Sequence, residues 1–414
     1  MNDTATAPSP IPIPRQVVAM PGPALLAGLR DGPSLAAHRE RYGTVPEVGL
    51  ETLMDLVGHA GVRGRGGAAF PFATKLATAA RRRRPVVVVN LAEGEPASAK
   101  DSALALSGPH LVLDGAVATA RALGSRAVHL VLPGERPEVG HAIGMALAER
   151  RDPVRISLHT ADDRFVAGQA RAVLELMSGR PNLPVTAWQP ESVSGHGGRP
   201  TLLSNAETWA QVGLLLLGGA TAYRRLGTPV EPGTTLLTLS RTGVLPEVHE
   251  VAFGTPWSEV LRPLPDRAVV LVGGFHGTWT RWDTLSRLRV SPSGMIAAGT
   301  PLGAGVVHVP DPDTCPLGFT SAVVDYLAGQ SAGRCGPCLN GLPALARELR
   351  AATQGHGSPA RIEQLTELVA RRGACAHPDG TVRLIHSALT VLDDEVAAHL
   401  QGRCPTIDRQ AAAS

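Results

Sequence analysis

Runs of apolar residues alternate with amphipathic stretches through the first half of the chain. Val86 to Val89 is an unbroken valine run, the pattern of a strand buried on both faces. Ala127 to Leu132 (AVHLVL) reads the same way, and Val154 to His159 as a shorter strand. Ala24 to Gly43, Glu47 to Ala60, Ala116 to Leu123 and Pro137 to Arg150 read as helices. Strands alternating with helices predict an α/β fold with a parallel sheet. From Thr234 the pattern changes. Thr235 to Ser240 and Glu247 to Val251 alternate as short strands. A helix is expected near Trp257 to Leu264 and a strand at Ala268 to Leu271, with Gly273-Gly274-Phe275 turning out of it. Met295 to Leu302 and Gly305 to Val309 lead back toward the next unit. Phe319 to Leu400 is mostly helical, with amphipathic runs at Leu342 to Ala352 and Ile362 to Arg371. These shifts divide the chain into a lead-in over 1–22, an α/β domain over 23–232, a small β domain over 233–303, a helical domain over 304–405 and a tail over 406–414.

Composition narrows the class. Hydrophobic residues make up 43% of the chain but aromatics only 3%, so the cores are built from Ala, Val and Leu. The net charge of +3 is too small to argue for nucleic acid, and no basic run interleaves with aromatics. Arg81 to Arg84 reads as a solvated helix end. The Pro- and Ser-rich lead-in lacks the apolar core of a secretory signal and reads as disordered. The longest apolar stretch, Val212 to Ala220, is too short to cross a bilayer. The expectation is a soluble, cytoplasmic chain, compatible with docking on a membrane complex. Five cysteines in such a chain point to metal or redox use rather than disulfides.

Candidate chemistry begins at Gly64 to Thr74, GRGGAAFPFAT. Gly64, Gly66 and Gly67 let backbone N–H groups approach a ligand, and Arg65 and Lys75 add positive charge suited to a phosphate. The spacing is not the G-x-G-x-x-G dinucleotide fingerprint, and a plain structural turn explains the loop alone equally well. The valine strand then ends in NLAEGEP, which places Asn90, Glu93 and Glu95 at its carboxyl end, where open α/β sheets bind ligands.

GRGGAAFP with Lys75, NLAEGEP with Lys100-Asp101, and Gly108-Pro109-His110-Leu111 resemble the NADH-binding flavoprotein subunit of respiratory complex I and the diaphorase subunits of soluble hydrogenases and formate dehydrogenases. That family reads GRGGAGFP, then NADEGEPGT-K-D, then D-P-H-L, and the resemblance runs from about Leu50 to Pro405. It implies a Rossmann-like FMN-binding sheet domain, then a small β-grasp domain, then a helical iron–sulfur domain. The activity implied is hydride transfer from NADH or NADPH to FMN, with single electrons passed to an iron–sulfur cluster and on to a partner subunit or ferredoxin. Hydride transfer needs no protein acid or base, so no catalytic side chain is assigned.

By the same resemblance, phosphate sits at Gly64 to Gly67 with Lys75. Asn90, Glu93, Gly168 and Asn205 surround the flavin, joined by Glu95, Ser204 and Thr208. Phe70 or Phe72 stacks on an adenine or serves the core. VSGHGGRPTLLSNAETW, from Val193, resembles V-S-G-x-x-G-K-P-T-x-x-N-N-V-E-T, with Ser204 in place of the first Asn. Read alone, Ser204-Asn205 is a helix cap. Gln169 and Ala170 stand where the family has a glutamate pair, and Ala92 where it has an aspartate.

SAGRCGPC, from Ser331, stands where the family reads S-C-G-K-C-x-P-C, with a fourth cysteine downstream. Cys335, Cys338 and Cys375 match three of the family's [4Fe–4S] ligands, and Ala332 replaces the first. Three thiolates hold a [4Fe–4S] cubane with one iron open, a [3Fe–4S] cluster, or, with His377, a Cys₃His zinc ion; free thiols are the remaining reading. Cys315 and Cys404 lie outside the ligand pattern. Cys315 reads as a buried apolar residue, or as a substitute ligand if the fold brings it near. The lost acids and cysteine also allow a divergent electron-transfer or scaffold subunit that no longer binds NADH.

Overall fold

A computed structural model of the protein describes Gln16 and residues 18–82, 84–241 and 244–406. Arg83, most of the expected lead-in and all but the first residue of the expected tail lie outside the described residues.

The first sheet is parallel throughout. It contains β2 (Val86–Asn90), β3 (Ala127–Pro133), β4 (Arg155–Ala161) and β5 (Thr201–Asn205), in the order β4-β3-β2-β5. The valine run is buried because both faces of β2 are covered. Val87 and Val89 pack with Leu53, Leu76, Leu111 and Trp209 from surrounding helices. Val86 and Val88 pack on the other side with Val173, Leu174 and Met177 of the helix Ala170–Met177. Trp209 pins this core by donating from Nε1 to the Val88 carbonyl at 3.0 Å.

The second sheet has six strands in the order β1-β7-β6-β10-β8-β9. These are β1 (Val18–Ala19), β6 (Thr234–Arg241), β7 (Val244–Ala252), β8 (Val269–Val272), β9 (Thr278–Arg281) and β10 (Val306–Val309). β10 lies centrally, parallel to β6 and antiparallel to β8. The helical region follows, from Pro316–Gly329 to Asp393–Leu400, and its core also takes in Phe165, Phe275 and Trp279 from loops and strands of the two sheets. Among the described residues no single helix is long and apolar enough to cross a membrane.

Several expectations shift. Val18–Ala19 is not part of a disordered lead-in: it pairs in parallel with Glu247–Val248 of β7. Glu250 holds the next residues by accepting from the N–H groups of Ala24, Leu25 and Leu26 at 2.8–3.0 Å. Of Ala24 to Gly43 only Leu35–Tyr42 is helical, because Gly32 at φ +86° and Pro33 break the chain before the Ser34 cap. The helix expected at Trp257 to Leu264 stops at Val260. The boundary placed at residue 303 separates β10 from the sheet in which it is central. The helix Lys100–Ser107 and strand β9 were not anticipated.

Candidate functional site

The order of the first sheet reverses between β2 and β5. The chain builds outward from β2 through β3 to β4, then returns to place β5 on the other side of β2. Such a switch point opens a crevice at the carboxyl ends of the two strands. The residues at those ends are Asn90 and Asn205, which face each other in the ladder. Asn90 donates from Nδ2 to the Gly168 carbonyl at 2.8 Å and accepts from Ala92 N–H at 3.1 Å. That bond draws the loop after β4 over the end of β2. Glycine is required there, since a Cβ on Gly168 would lie 2.5 Å from the Ala92 carbonyl oxygen.

The glycine loop meets the same crevice. Arg65 N–H donates to Thr208 Oγ1 at 2.9 Å, and Thr208 Oγ1 donates to Asn205 Oδ1 at 2.5 Å. Gly64 N–H closes the loop on the Phe70 carbonyl at 2.8 Å. Gly66 and Gly67 N–H donate to no protein acceptor among the described residues. Gly67 takes φ +99°, and a Cβ there would lie 3.2 Å from the Gly303 carbonyl oxygen; Gly66 faces open space. Lys75 donates to the Leu203 carbonyl at 2.8 Å, beside Ser204 on β5. The loop therefore offers two unpaired donors and a nearby ammonium, a set suited to a phosphate. Phe72 is core, edge-on to Trp209 at 5.5 Å, whereas Phe70 is half exposed.

Three expected ligands point elsewhere. The Arg65 guanidinium is buried, donates to the Thr234 and Arg63 carbonyls, and lies over the Phe253 ring. It anchors the loop to the second sheet and leaves its charge facing Glu207 at 3.7 Å. Glu93 turns into the helix Lys100–Ser107, accepting from Asp101 and Ser102 N–H at 3.0 Å and pairing with Arg136 at 2.9 Å. Burial pushes its carboxyl up, but Arg136, Ser102 and Lys100 outweigh this and hold it below the usual range. Glu95 bridges to the second sheet, accepting from Phe275 N–H at 2.8 Å; without a paired cation, burial pushes it up to about 8.

A buried charge network lies behind the crevice, joining Lys100-Asp101 to the Asn205–Glu207 stretch. Lys100 pairs with Asp101 at 2.9 Å and with Glu207 at 3.0 Å. Asp101 accepts from Asn205 Nδ2 at 3.0 Å and Glu207 N–H at 2.7 Å. Asn205 is thereby fixed from both sides, by Asp101 and Thr208. A wide cleft bordered by Leu35, Glu47 and Arg121 contains none of these residues, and Arg121 and Arg150 within it are paired with Glu47, Asp114 and Asp152.

Cys335, Cys338 and Cys375 come together from two places: Cys335 just before, and Cys338 within, the π-helical turn Pro337–Gly341 that runs into Leu342–Thr353, and Cys375 just before His377–Val391. Burial pushes the Cys338 thiol up to about 12, and the neighbouring Cys335 and Cys375 thiols add to the shift. Burial also raises Cys375, while the side chain of Gln169 lowers it. The three sulfur atoms do not all lie within 4.8 Å of one another, a spacing looser than one tetrahedral ion requires. Both ring nitrogens of His377 already have partners. Its Nε2 donates to the Leu327 carbonyl at 2.8 Å, and its Nδ1 meets His276 Nε2 at 3.1 Å. Phe165, two residues before Ala167-Gly168, stacks among His276, His377 and Phe275, so one aromatic cluster lies between the crevice and the cysteines. Cys315 does not substitute for Ala332; it stands beside His399 and Cys404.

Comparison with known proteins matches two regions of the chain. Residues 57–214 match the family described as the Nuo51 FMN-binding domain, and residues 318–399 the NADH-ubiquinone oxidoreductase-F iron–sulfur binding region. The chain is 27% identical to the second NADH-quinone oxidoreductase F subunit of Rhizobium meliloti, across 95% of this chain and 99% of that one. It is 27% identical to the corresponding F subunit of Escherichia coli across 85% of each. A chain of an NAD⁺-reducing [NiFe]-hydrogenase superposes with a TM-score of 0.81 at 25% identity, over 93% of this chain and 68% of that one. The chain thus resembles the NADH-binding flavoprotein subunits along most of its length.

Gln169, Ala92 and Ala332 lie around the two sites. Gln169 caps the helix Ala170–Met177 and reaches Cys375, and Ala92 lies in the loop that Asn90 and Gly168 hold. Ala332 follows Ser331, whose hydroxyl accepts from Gly333 N–H at 3.0 Å and lies beside Cys338.

Proposed function

We infer that the protein is an electron-transfer oxidoreductase subunit that oxidises NADH with FMN and delivers single electrons through an iron–sulfur cluster to a partner subunit. When bound, FMN supplies the conversion of a two-electron hydride into single electrons. The chain supplies binding and orientation. The N–H groups of Gly66 and Gly67, with Lys75, would receive the phosphate. Ser204, Asn205, Thr208, Asn90 and the Gly168 backbone would line the ribityl chain and ring edge. Arg65, Glu93 and Glu95 hold this crevice in shape from behind. The observation that carries the reading is the facing pair Asn90 and Asn205 at the switch point, with the unpaired donors of the glycine loop beside it.

Cys335, Cys338 and Cys375 would hold the cluster, with the position beside Ala332 left to a non-cysteine ligand. Gln169 and Ala170 remove two carboxylates that would accept hydrogen bonds from the nucleotide. NADH should therefore bind more weakly than to relatives that retain them, and Gln169→Glu should tighten it. The six-stranded sheet supports a β-grasp reading: its first hairpin, β6 and β7, is followed by a last strand, β10, seated parallel to β6 at the centre.

Anaerobic purification, reconstitution with FMN, and NADH titration test the function. A flavin band bleached by NADH, with iron and sulfide in the protein, is expected. Failure to quench FMN fluorescence at any protein concentration would overturn it.

A further inference from the structure

We propose that Cys315, His399 and Cys404 form a second metal site that takes a zinc ion, separate from the cysteines of the cluster region. Their ligand atoms all lie within 4.8 Å of one another, and Cys315 Sγ is 3.3 Å from His399 Nε2. A tetrahedral zinc with bonds of about 2.3 Å to sulfur and about 2.0 Å to nitrogen spaces its ligands roughly 3.5–3.8 Å apart, so little movement is needed to seat the ion.

The three residues come from separate parts of the fold. Cys315 caps the helix Pro316–Gly329, His399 ends the helix Asp393–Leu400, and Cys404 lies in the turn beyond it. Chain proximity alone does not assemble them, since 84 residues separate Cys315 from His399.

The surroundings orient the set as a metal site requires. His399 is buried, and its Nδ1 donates to the Thr353 carbonyl at 2.9 Å. That bond places the ring proton on Nδ1 and leaves the Nε2 lone pair directed at Cys315. A backbone carbonyl on the far nitrogen is the usual outer partner of a zinc-bound histidine. Cys315 Sγ accepts from Gly318 N–H at 3.3 Å, a bond that supports a thiolate at the start of a helix. Two thiols and one neutral imidazole are a zinc donor set. Binding breaks both S–H bonds, forms two Zn–S bonds and one Zn–N bond, and releases two protons with no change of oxidation state. A fourth position remains for water or a carboxylate. The ion would tie the segment at Cys404 to the first and last helices of the domain, independently of any iron.

The test is metal content of the full chain by mass spectrometry, with X-ray absorption at the zinc edge. One zinc per chain is expected, bound through two sulfurs and at least one nitrogen. Cys404→Ser and His399→Gln should each lose it while keeping their iron and an unchanged circular dichroism spectrum. Cys375→Ser should lose iron and keep zinc. Absence of zinc uptake by reduced wild-type protein would overturn the proposal. So would retention of zinc in Cys404→Ser, or an as-isolated Cys315–Cys404 disulfide whose reduction yields no metal binding.

Discussion

Lys75 lies 2.7 Å from Glu191 Oε1, so the lysine that follows the glycine loop already holds a carboxylate. Burial raises Glu191, but Lys75 overcomes it and keeps the carboxyl below its usual range. A phosphate at the loop would have to share or displace this partner. Glu191→Gln should therefore strengthen FMN binding up to about tenfold, and Lys75→Met should weaken it by about one to two decades, the range of a lost charge-assisted bond. Flavin fluorescence titration measures both. Weaker binding in Glu191→Gln would show that the carboxylate positions Lys75 rather than competing for it.

Gly66 and Gly67 are expected to fail in different ways. Position 66 faces open space, so Gly66→Val should fold normally and lose FMN because its side chain occupies the approach to the backbone donors. Position 67 has φ +99° with the Gly303 carbonyl close by, so Gly67→Ala should cost stability. Thermal melts and flavin retention on the two variants separate these effects. Equal losses of Tm would contradict the open geometry at 66.

Glu95 gives a pH signature. Its folded pKa of about 8 lies above its ordinary value of 4.5, so the native state holds a proton that the unfolded chain releases between those values. Its stabilising contribution is complete below about pH 4.5 and is lost as pH rises through about 8, with a slope of at most about 1.4 kcal/mol per pH unit. Glu95→Gln should remove that slope. Chemical denaturation of both proteins from pH 6 to pH 9 is the measurement, and parallel curves would place a cation near Glu95 that the fold does not show.

How far the sequence could be read depended on whether a residue's partner is local. The valine run and the strand-end Asn90 were legible from periodicity, and the Cys335-x-x-Cys338 pair from its short spacing, whereas Cys375, far along the chain, was reached only through the family resemblance. Glu93 and Glu95 looked like ligands because an acid at a strand end reads the same whether it faces a crevice or a neighbouring helix. Arg136 and Glu191 were invisible, and the pairing of Glu207 with Lys100 was too, since each matters through a partner at least 43 residues away. The two-residue β1 was missed because it has no pattern of its own and forms only on β7.

The cluster site carries the last prediction. Cys335, Cys338 and Cys375 would supply a cluster with three thiolates once it displaced their protons, and Ala332 has none to offer. The hydroxyl beside Cys338 belongs to Ser331 and already accepts from Gly333 N–H, so an iron on that side depends on a weaker oxygen ligand or water. Losing one anionic ligand should raise the reduction potential, because net charge is among its main determinants. It should also make that iron the first to leave in air. Wild-type protein reconstituted anaerobically and exposed briefly to oxygen should show the paramagnetic signal of a three-iron cluster. Ala332→Cys should suppress that signal and titrate at a lower potential, because position 332 lies in the same turn as Ser331 and Cys335. A wild-type four-iron cluster that survives air as well as Ala332→Cys would mean that a protein group other than cysteine already closes the site.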